Sequence, residues 1–224
     1  VRHIGTSEND FDRLDYLNNL SRYVCAHKPD ADQLKIKFEE VMNRPEQPEI
    51  LRYVAGVMGG AGFAVFFGCG FMDAIVAVVV SLMIVFVGKW LSTREGNLMI
   101  YNLILAFLSE IIIILATRNG IGTHHDRIMI GIVMLLISGL GTTNGFRELL
   151  QRDFISGSIN ILNSILGATG IALGIALALM VFHARSMEGF MLTPRVPMQL
   201  VYCTIACIGF AIWFKFRGRQ VFYS

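Results

Sequence analysis

Apolar positions in this chain run in long windows rather than in the spaced stripes of a half-buried helix or strand. A helix needs about 20 mostly apolar residues to cross about 30 Å of hydrocarbon. Six windows meet that length, at about 51–69, 72–91, 98–116, 127–144, 155–182 and 198–216. Only Gly68, Cys69, Gly70 and Phe71 separate the first two, the length of a hairpin turn. The fifth is long enough to tilt or to extend past the bilayer. Ahead of the windows the pattern turns amphipathic. Phe11, Leu14, Leu17, Leu20 and Val24 recur at helical spacing, and so do Leu34, Phe38, Val41 and Met42 after Pro29-Asp30, where Asp30 or Asp32 is placed to cap a helix. Pro45 and Pro48 break the chain before the first window. The pattern predicts an all-α, polytopic membrane protein of about six transmembrane helices, with a short helical hairpin packed on the cytoplasmic face of the bundle.

Composition sharpens this reading. The 224 residues are 54% hydrophobic and 16% charged, with mean hydropathy +0.57. Residues 1–52 hold eight Lys/Arg and ten Asp/Glu, half of all the charge in the chain. Such a split excludes a disulfide scaffold, a disordered chain and a soluble enzyme. A net charge of +2 without a basic patch gives no reason to expect nucleic acid. Cys25, Cys69, Cys203 and Cys207 are unclustered, so neither a disulfide framework nor zinc is indicated. With the leader on the inside, cytoplasmic segments carry 15 Lys/Arg and outer loops 4, namely Arg118, Arg127, Arg185 and Arg195. Both ends of the chain are therefore expected in the cytoplasm, across an inner (plasma) membrane. The start at Val1, with no signal peptide, reads as a fragment.

An internal echo bears on architecture. Gly62-Phe63-Ala64-Val65-Phe66-Phe67 in the first window resembles Gly209-Phe210-Ala211-Ile212-Trp213-Phe214 in the sixth. Copies five spans apart cross in opposite directions, as in the inverted repeats of secondary transporters, although so short a likeness also arises by chance. The expected organisation is a cytoplasmic helical leader (1–50), a five-span half (51–182), an outer loop (183–197) and the first span of a second half (198–224). That makes a five-plus-five inverted repeat truncated after the sixth span.

No enzyme motif, cofactor motif or metal-binding spacing is present, and transport down an existing gradient requires none. Glu110 lies mid-window between Ser109 and Ile111-Ile112-Ile113-Ile114. A charge there costs about 2.5–3.5 kcal/mol on insertion scales, so it is turned inward and paired, or protonated. Asn102, Ala106, Ser109, Ile113 and Thr117 make a narrow polar or small stripe beside it. This suits a proton-coupling site, and the plain alternative is an interhelical hydrogen bond. Asp73 opens the second window and reads as a structural cap or gate at the outer interface. Ser156, Asn160, Asn163, Gly167, Gly170 and Gly174 form one face of the fifth window, with Asn160 and Asn163 expected to point into the bundle. Ser138-Gly139-Leu140-Gly141-Thr142-Thr143-Asn144 ends the fourth window in helix-weakening residues, as a broken helix lining a solute site or as a kinked helix end. His124-His125-Asp126 reads as a solvated loop rather than a metal site.

These residues also resemble a known family. Arg2-His3-Ile4-Gly5, Asp10, Arg13, Asn18 and Leu20-Ser21-Arg22 are similar to the segment before the first span in the threonine/serine exporter family. Ser138-Gly139, Thr143-Asn144, Arg147-Glu148, Asp153 and Ser156-Gly157 resemble its P-G, T-N, R-D, G-D and S-G signature, with Ser138 in place of proline, Glu148 of aspartate and Arg152 of glycine. The resemblance covers about residues 2–182. It implies a secondary exporter of ten spans in two halves, on one polypeptide or two, carrying hydroxy amino acids or, in some members, dicarboxylates. By that comparison the chain is cut at both ends. The expected partners are the lipid bilayer, a small amino acid or carboxylate, and a second half or another copy. Glu110, Asn102, Ser138, Thr142, Thr143, Asn144, Asn160 and Asn163 are the candidate substrate or proton pathway. Asp73, Gly139, Arg147, Glu148, Asp153 and Gly157 are candidate structural or gating residues. The competing class is a non-transporting membrane scaffold or sensor whose polar stripes only hold helices together.

Overall fold

The computed structural model describes residues 11–43, 48–92, 94, 96–137, 139–183 and 196–214. Those residues form nine helices and no strand: α1 (Phe11–His27), α2 (Ala31–Met42), α3 (Glu49–Phe66), α4 (Phe71–Ser92), α5 (Leu98–Arg118), α6 (His125–Leu136), α7 (Gly139–Leu150), α8 (Phe154–Phe182) and α9 (Val196–Trp213). Four of them, α3, α4, α5 and α8, are long and apolar enough to cross a membrane. The pair α6 and α7 passes the same test together, bent by 51°, and makes a fifth. Among the described residues α9 is a shorter apolar helix, so four or five spans stand where six are expected. The chain is a multi-pass helical membrane protein.

α3 and α4 are turned with most of their small residues inward. On α4, Asp73, Ala77, Ser81 and Gly88 are buried, while Phe71, Ile75, Val79, Leu82 and Phe86 are exposed. Lipid is as apolar as leucine, so large side chains lose nothing by facing it, and close backbone approach decides which face packs. Gly131 of α6 shows how close: a Cβ there would lie 2.6 Å from the Ala64 backbone of α3. Between these helices sits an apolar core that includes Val76, Val80, Ile84, Leu105, Ile113, Ile128 and Ile132.

The two copies of the echoed segment meet. α3 packs on α9, with Gly62 against Ala206 and Gly209 against Met58 and Gly59. Phe63 and Phe210, which occupy the same place in the echo, touch edge to face with centroids 5.4 Å apart.

The leader forms the expected hairpin, with Asp30 accepting a 2.8 Å hydrogen bond from the Ala31 backbone as the cap of α2. It packs on itself, not on the end of the bundle: α1 and α2 make no substantial contact with any other described helix. The apolar positions expected to dock it, Leu20 and Val41, line a cavity of about 430 Å³ between the two helices, together with Tyr23, Lys37 and Glu40.

Candidate functional site

α5 runs through the middle of the bundle and carries the polar stripe. Asn102, Ser109 and Glu110 are all buried, Glu110 to 1% exposure. The Ser109 hydroxyl is spent on the Leu105 carbonyl at 2.7 Å. Glu110 faces α6, where its Oε1 lies 2.7 Å from Nε2 of His125. The two groups are at ion-pair distance and shielded from solvent. The other ring nitrogen, Nδ1, lies 3.3 Å from Oδ1 of Asp126.

A regular α5–α6 hairpin does not by itself bring residue 125 down to residue 110. The connecting loop is drawn inward by Asp73, which is wholly buried at the start of α4. Its carboxylate accepts from the Thr123 backbone N–H at 2.7 Å, the His124 N–H at 3.3 Å and the Gly70 N–H at 3.0 Å, with His124 Nδ1 a further 2.9 Å contact. The bond to Gly70 is the return arm of a capping box, from the third helical residue to the residue before the helix. Asp73 thus caps α4 as expected, and it also ties the α3–α4 turn to the α5–α6 loop. Arg127 adds to the same junction by donating to the Gly68 carbonyl at 2.6 Å. Beside it, burial and the neighbouring Asp73 push the Cys69 thiol up to about 12. His124 and His125 turn to different carboxylates, so the histidine pair is neither a solvated loop nor a shared ligand set.

Deeper along α5, Asn102 donates from Nδ2 to the Gly167 carbonyl of α8 at 3.2 Å. The α8 glycines are the close face of this seam. A Cβ on Gly170 would lie 2.3 Å from the Met99 carbonyl oxygen, and one on Gly174 2.4 Å from that of Leu103. Nearer the start of α8, Gly157 and Gly145 bring α7 and α8 together, and a Cβ on Gly157 would meet the Gly145 oxygen at 2.8 Å.

The helix break falls where the sequence weakens. Ile137 ends α6 in an extended conformation, ψ 124°, and α7 resumes at Gly139. Ser138 lies outside the described residues. At this elbow a cavity of about 190 Å³ opens between α5, α7 and α8, lined by Leu98, Asn102, Ile137, Thr142, Ser164 and Ile171 among others. None of the described residues lining it is charged. A much smaller space of about 10 Å³ borders Glu110, Ser109, Met129, Leu136 and Ile175, at the lower limit of what one water occupies. Glu110 and Asn102 are eight residues apart, about 12 Å of helix rise. Leu136 and Ile137, neighbours at the elbow, line one space each.

The structure therefore brings Asn102 and Thr142 to one cavity and places Glu110 a short way along the same helix. Other expected site residues lie apart from it. Thr143, Asn144, Gly139 and Arg147 are exposed, and the Thr143 hydroxyl bonds the Gly139 carbonyl at 3.0 Å. Asn160 is half-buried and donates to Glu148 Oε2 at 2.8 Å, which pins α7 to α8. Asn163, expected to point inward, is exposed: the buried positions of α8 are Gly157, Gly167, Gly170, Ile171, Gly174 and Ala178, and that face leaves no place for it. Asp153 caps α8, accepting from Ser156 N–H at 3.4 Å. Ser164 and His125 escape a reading of the sequence, although a histidine opening the span that follows an acid-bearing span was a usable signal.

No curated protein and no solved structure matches the chain. A family model described as "Putative threonine/serine exporter" (ThrE) matches residues 1–182, which include every helix that builds this site. The chain belongs to the ThrE threonine/serine exporter family.

Proposed function

We propose that the protein is a secondary transporter that exports a small amino acid of the threonine or serine kind across the inner membrane, with Glu110 carrying the coupled proton. Family membership already assigns it to the export of an amino acid or other small solute. The observation that carries the finer reading is the pairing of a mostly apolar cavity at the elbow, with Asn102, Thr142 and Ser164 in its lining, and a buried acid on the same helix as Asn102. At about 190 Å³ the cavity is smaller than the roughly 300–1,000 Å³ of drug-sized sites, and it suits a solute of amino-acid size. Asn102 and Thr142 offer neutral polar groups, and Ser164, whose hydroxyl donates to the Asn160 carbonyl at 2.9 Å, offers its oxygen as an acceptor. A dicarboxylate asks for Arg or Lys in the lining, and among the described residues none lines this cavity. A broken span supplies backbone groups at solute depth, as transporters use them. The Lys/Arg asymmetry supports cytoplasmic ends, which makes the Asp73 and His125 end the outer one.

Counterflow in proteoliposomes holding the full-length protein tests both parts. Labelled threonine and serine are expected to exchange and succinate is not, and exchange of succinate alone overturns the amino-acid reading. Flux driven by a pH gradient is expected to fall at least about tenfold in Glu110→Gln, with thermal stability kept. Unchanged pH-driven flux removes Glu110 from the mechanism.

A further inference from the structure

We propose that His125 is the relay through which Glu110 exchanges its proton with the end of the bundle formed by the α3–α4 and α5–α6 connections. The proposal rests on Glu110 being the coupling acid and assigns it a partner and a route.

At 1% exposure Glu110 has no path of its own to water. The space beside it is walled by Met129, Ile132, Leu136 and Ile175, and its one polar neighbour there, Ser109, is committed to a backbone carbonyl. His125 is the exception. Its imidazole meets Glu110 with one nitrogen and Asp126 with the other, so it is the through-conducting element between a buried carboxyl and a partly open one. Side-chain exposure rises along this row, from 1% at Glu110 to 18% at His125 and 21% at Asp126. Oε1 and Nε2 are 2.7 Å apart and shielded from solvent, close enough for a proton to pass directly between them.

The surrounding charges have other attachments. From α4, Asp73 is held by His124, Thr123 and Gly70; on α6, Arg127 reaches the Gly68 carbonyl; at the end of α5, Arg118 donates to the Phe182 carbonyl. From α8 the nearest contributor is Ile175, which does not titrate. The step balances as a plain proton transfer. A neutral ring protonated on Nε2 takes a proton at Nδ1 from the open, Asp126 side, and the imidazolium so formed gives its Nε2 proton to Glu110 Oε1, leaving a neutral ring protonated on Nδ1 and a carboxylic acid. Release runs the same sequence backwards.

The test uses the full-length protein in proteoliposomes with labelled threonine, and succinate as a second probe, and it separates two readouts. Counterflow at equal pH moves no net proton, whereas flux driven by an imposed pH gradient does. His125→Gln is expected to keep counterflow within about twofold and to lose gradient-driven flux at least about tenfold, the same split as Glu110→Gln. Adding imidazole to His125→Ala is expected to restore gradient-driven flux, while pyrazole, of the same size but barely basic, is not. The relay is overturned if His125→Gln keeps gradient-driven flux and its pH profile. It is overturned equally if both readouts fall together in a protein that threonine still stabilises against heat, or if pyrazole rescues as well as imidazole. Wild-type protein that moves neither probe overturns the transport reading and the relay with it, a result distinct from any of these.

Discussion

α5 meets α8 and α6 across two seams of opposite character. Against α8 the contact is backbone to backbone: at Gly170 and Gly174 an added methyl would lie within 2.4 Å of a carbonyl oxygen. Against α6 the contact is polar, an acid and an imidazole 2.7 Å apart, beside a space near the size of one water. The first seam fixes two helices as one body. The second sets a buried carboxyl against an imidazole, where removing one partner leaves the other unpaired at a cost of about 1–3 kcal/mol. Close backbone packing and a buried polar pair thus occupy different faces of one helix.

The contrast breaks most visibly at Gly170. Gly170→Leu is expected to cost at least about 3 kcal/mol, because its first carbon already collides with backbone that no rotamer moves. Loss of the monodisperse folded protein in detergent is the measurement. Gly139→Leu is the control, since nothing lies within 4 Å of a Cβ there, and it is expected to unfold near the wild-type temperature. A smaller loss follows Asp73→Asn, which sets an amide nitrogen against the donors that now converge on a carboxylate. About 1–3 kcal/mol of stability is expected to go, read as a lowered midpoint of thermal unfolding, and an unchanged midpoint removes Asp73 from the junction.

Thr142→Val sharpens the picture on the solute side. It keeps the shape of the cavity lining and removes one hydroxyl, so half-saturation for threonine is expected to rise about fivefold, the equivalent of about 1 kcal/mol. Thr143→Val, on an exposed side chain, is expected to leave half-saturation where it is. The smallest effect is chemical. Only the thiolate reacts with maleimide, and a thiol held up to about 12 is almost wholly protonated at neutral pH. Cys69 is therefore expected to label far more slowly than the exposed Cys25 at pH 7, its rate climbing with pH until about 12. Equal rates at pH 7 contradict the tight junction around Asp73.

Much of the site's location was legible in the chain. Glu110 stands out because an acid inside an isoleucine run has a cost that only burial with a partner offsets, and it is indeed buried. The weak stretch after Leu136 announces a break, and the structure breaks there. Asn163 shows where spacing misleads. It shares a three-to-four stripe with the glycines, yet a helix face in a membrane packs on its smallest residues, and the seam follows Gly167, Gly170 and Gly174 and leaves Asn163 exposed. That His125 meets Glu110 was not written in either segment alone, because the loop before His125 is drawn inward by Asp73, 52 positions earlier.

By itself, then, the sequence determined that this is a helical membrane protein, where most of its helices run, and that Glu110 lies inside. Those follow from solvent preference and helix length, which act residue by residue along a single segment. Only the tertiary structure decided which group meets the acid, which polar residues gather at the elbow, and that the leader packs on itself. Each of these depends on two or three distant segments approaching within a few ångströms. Spacing along one helix carries no record of such approaches; the small residues and buried carboxylates that permit them act only once the helices are side by side.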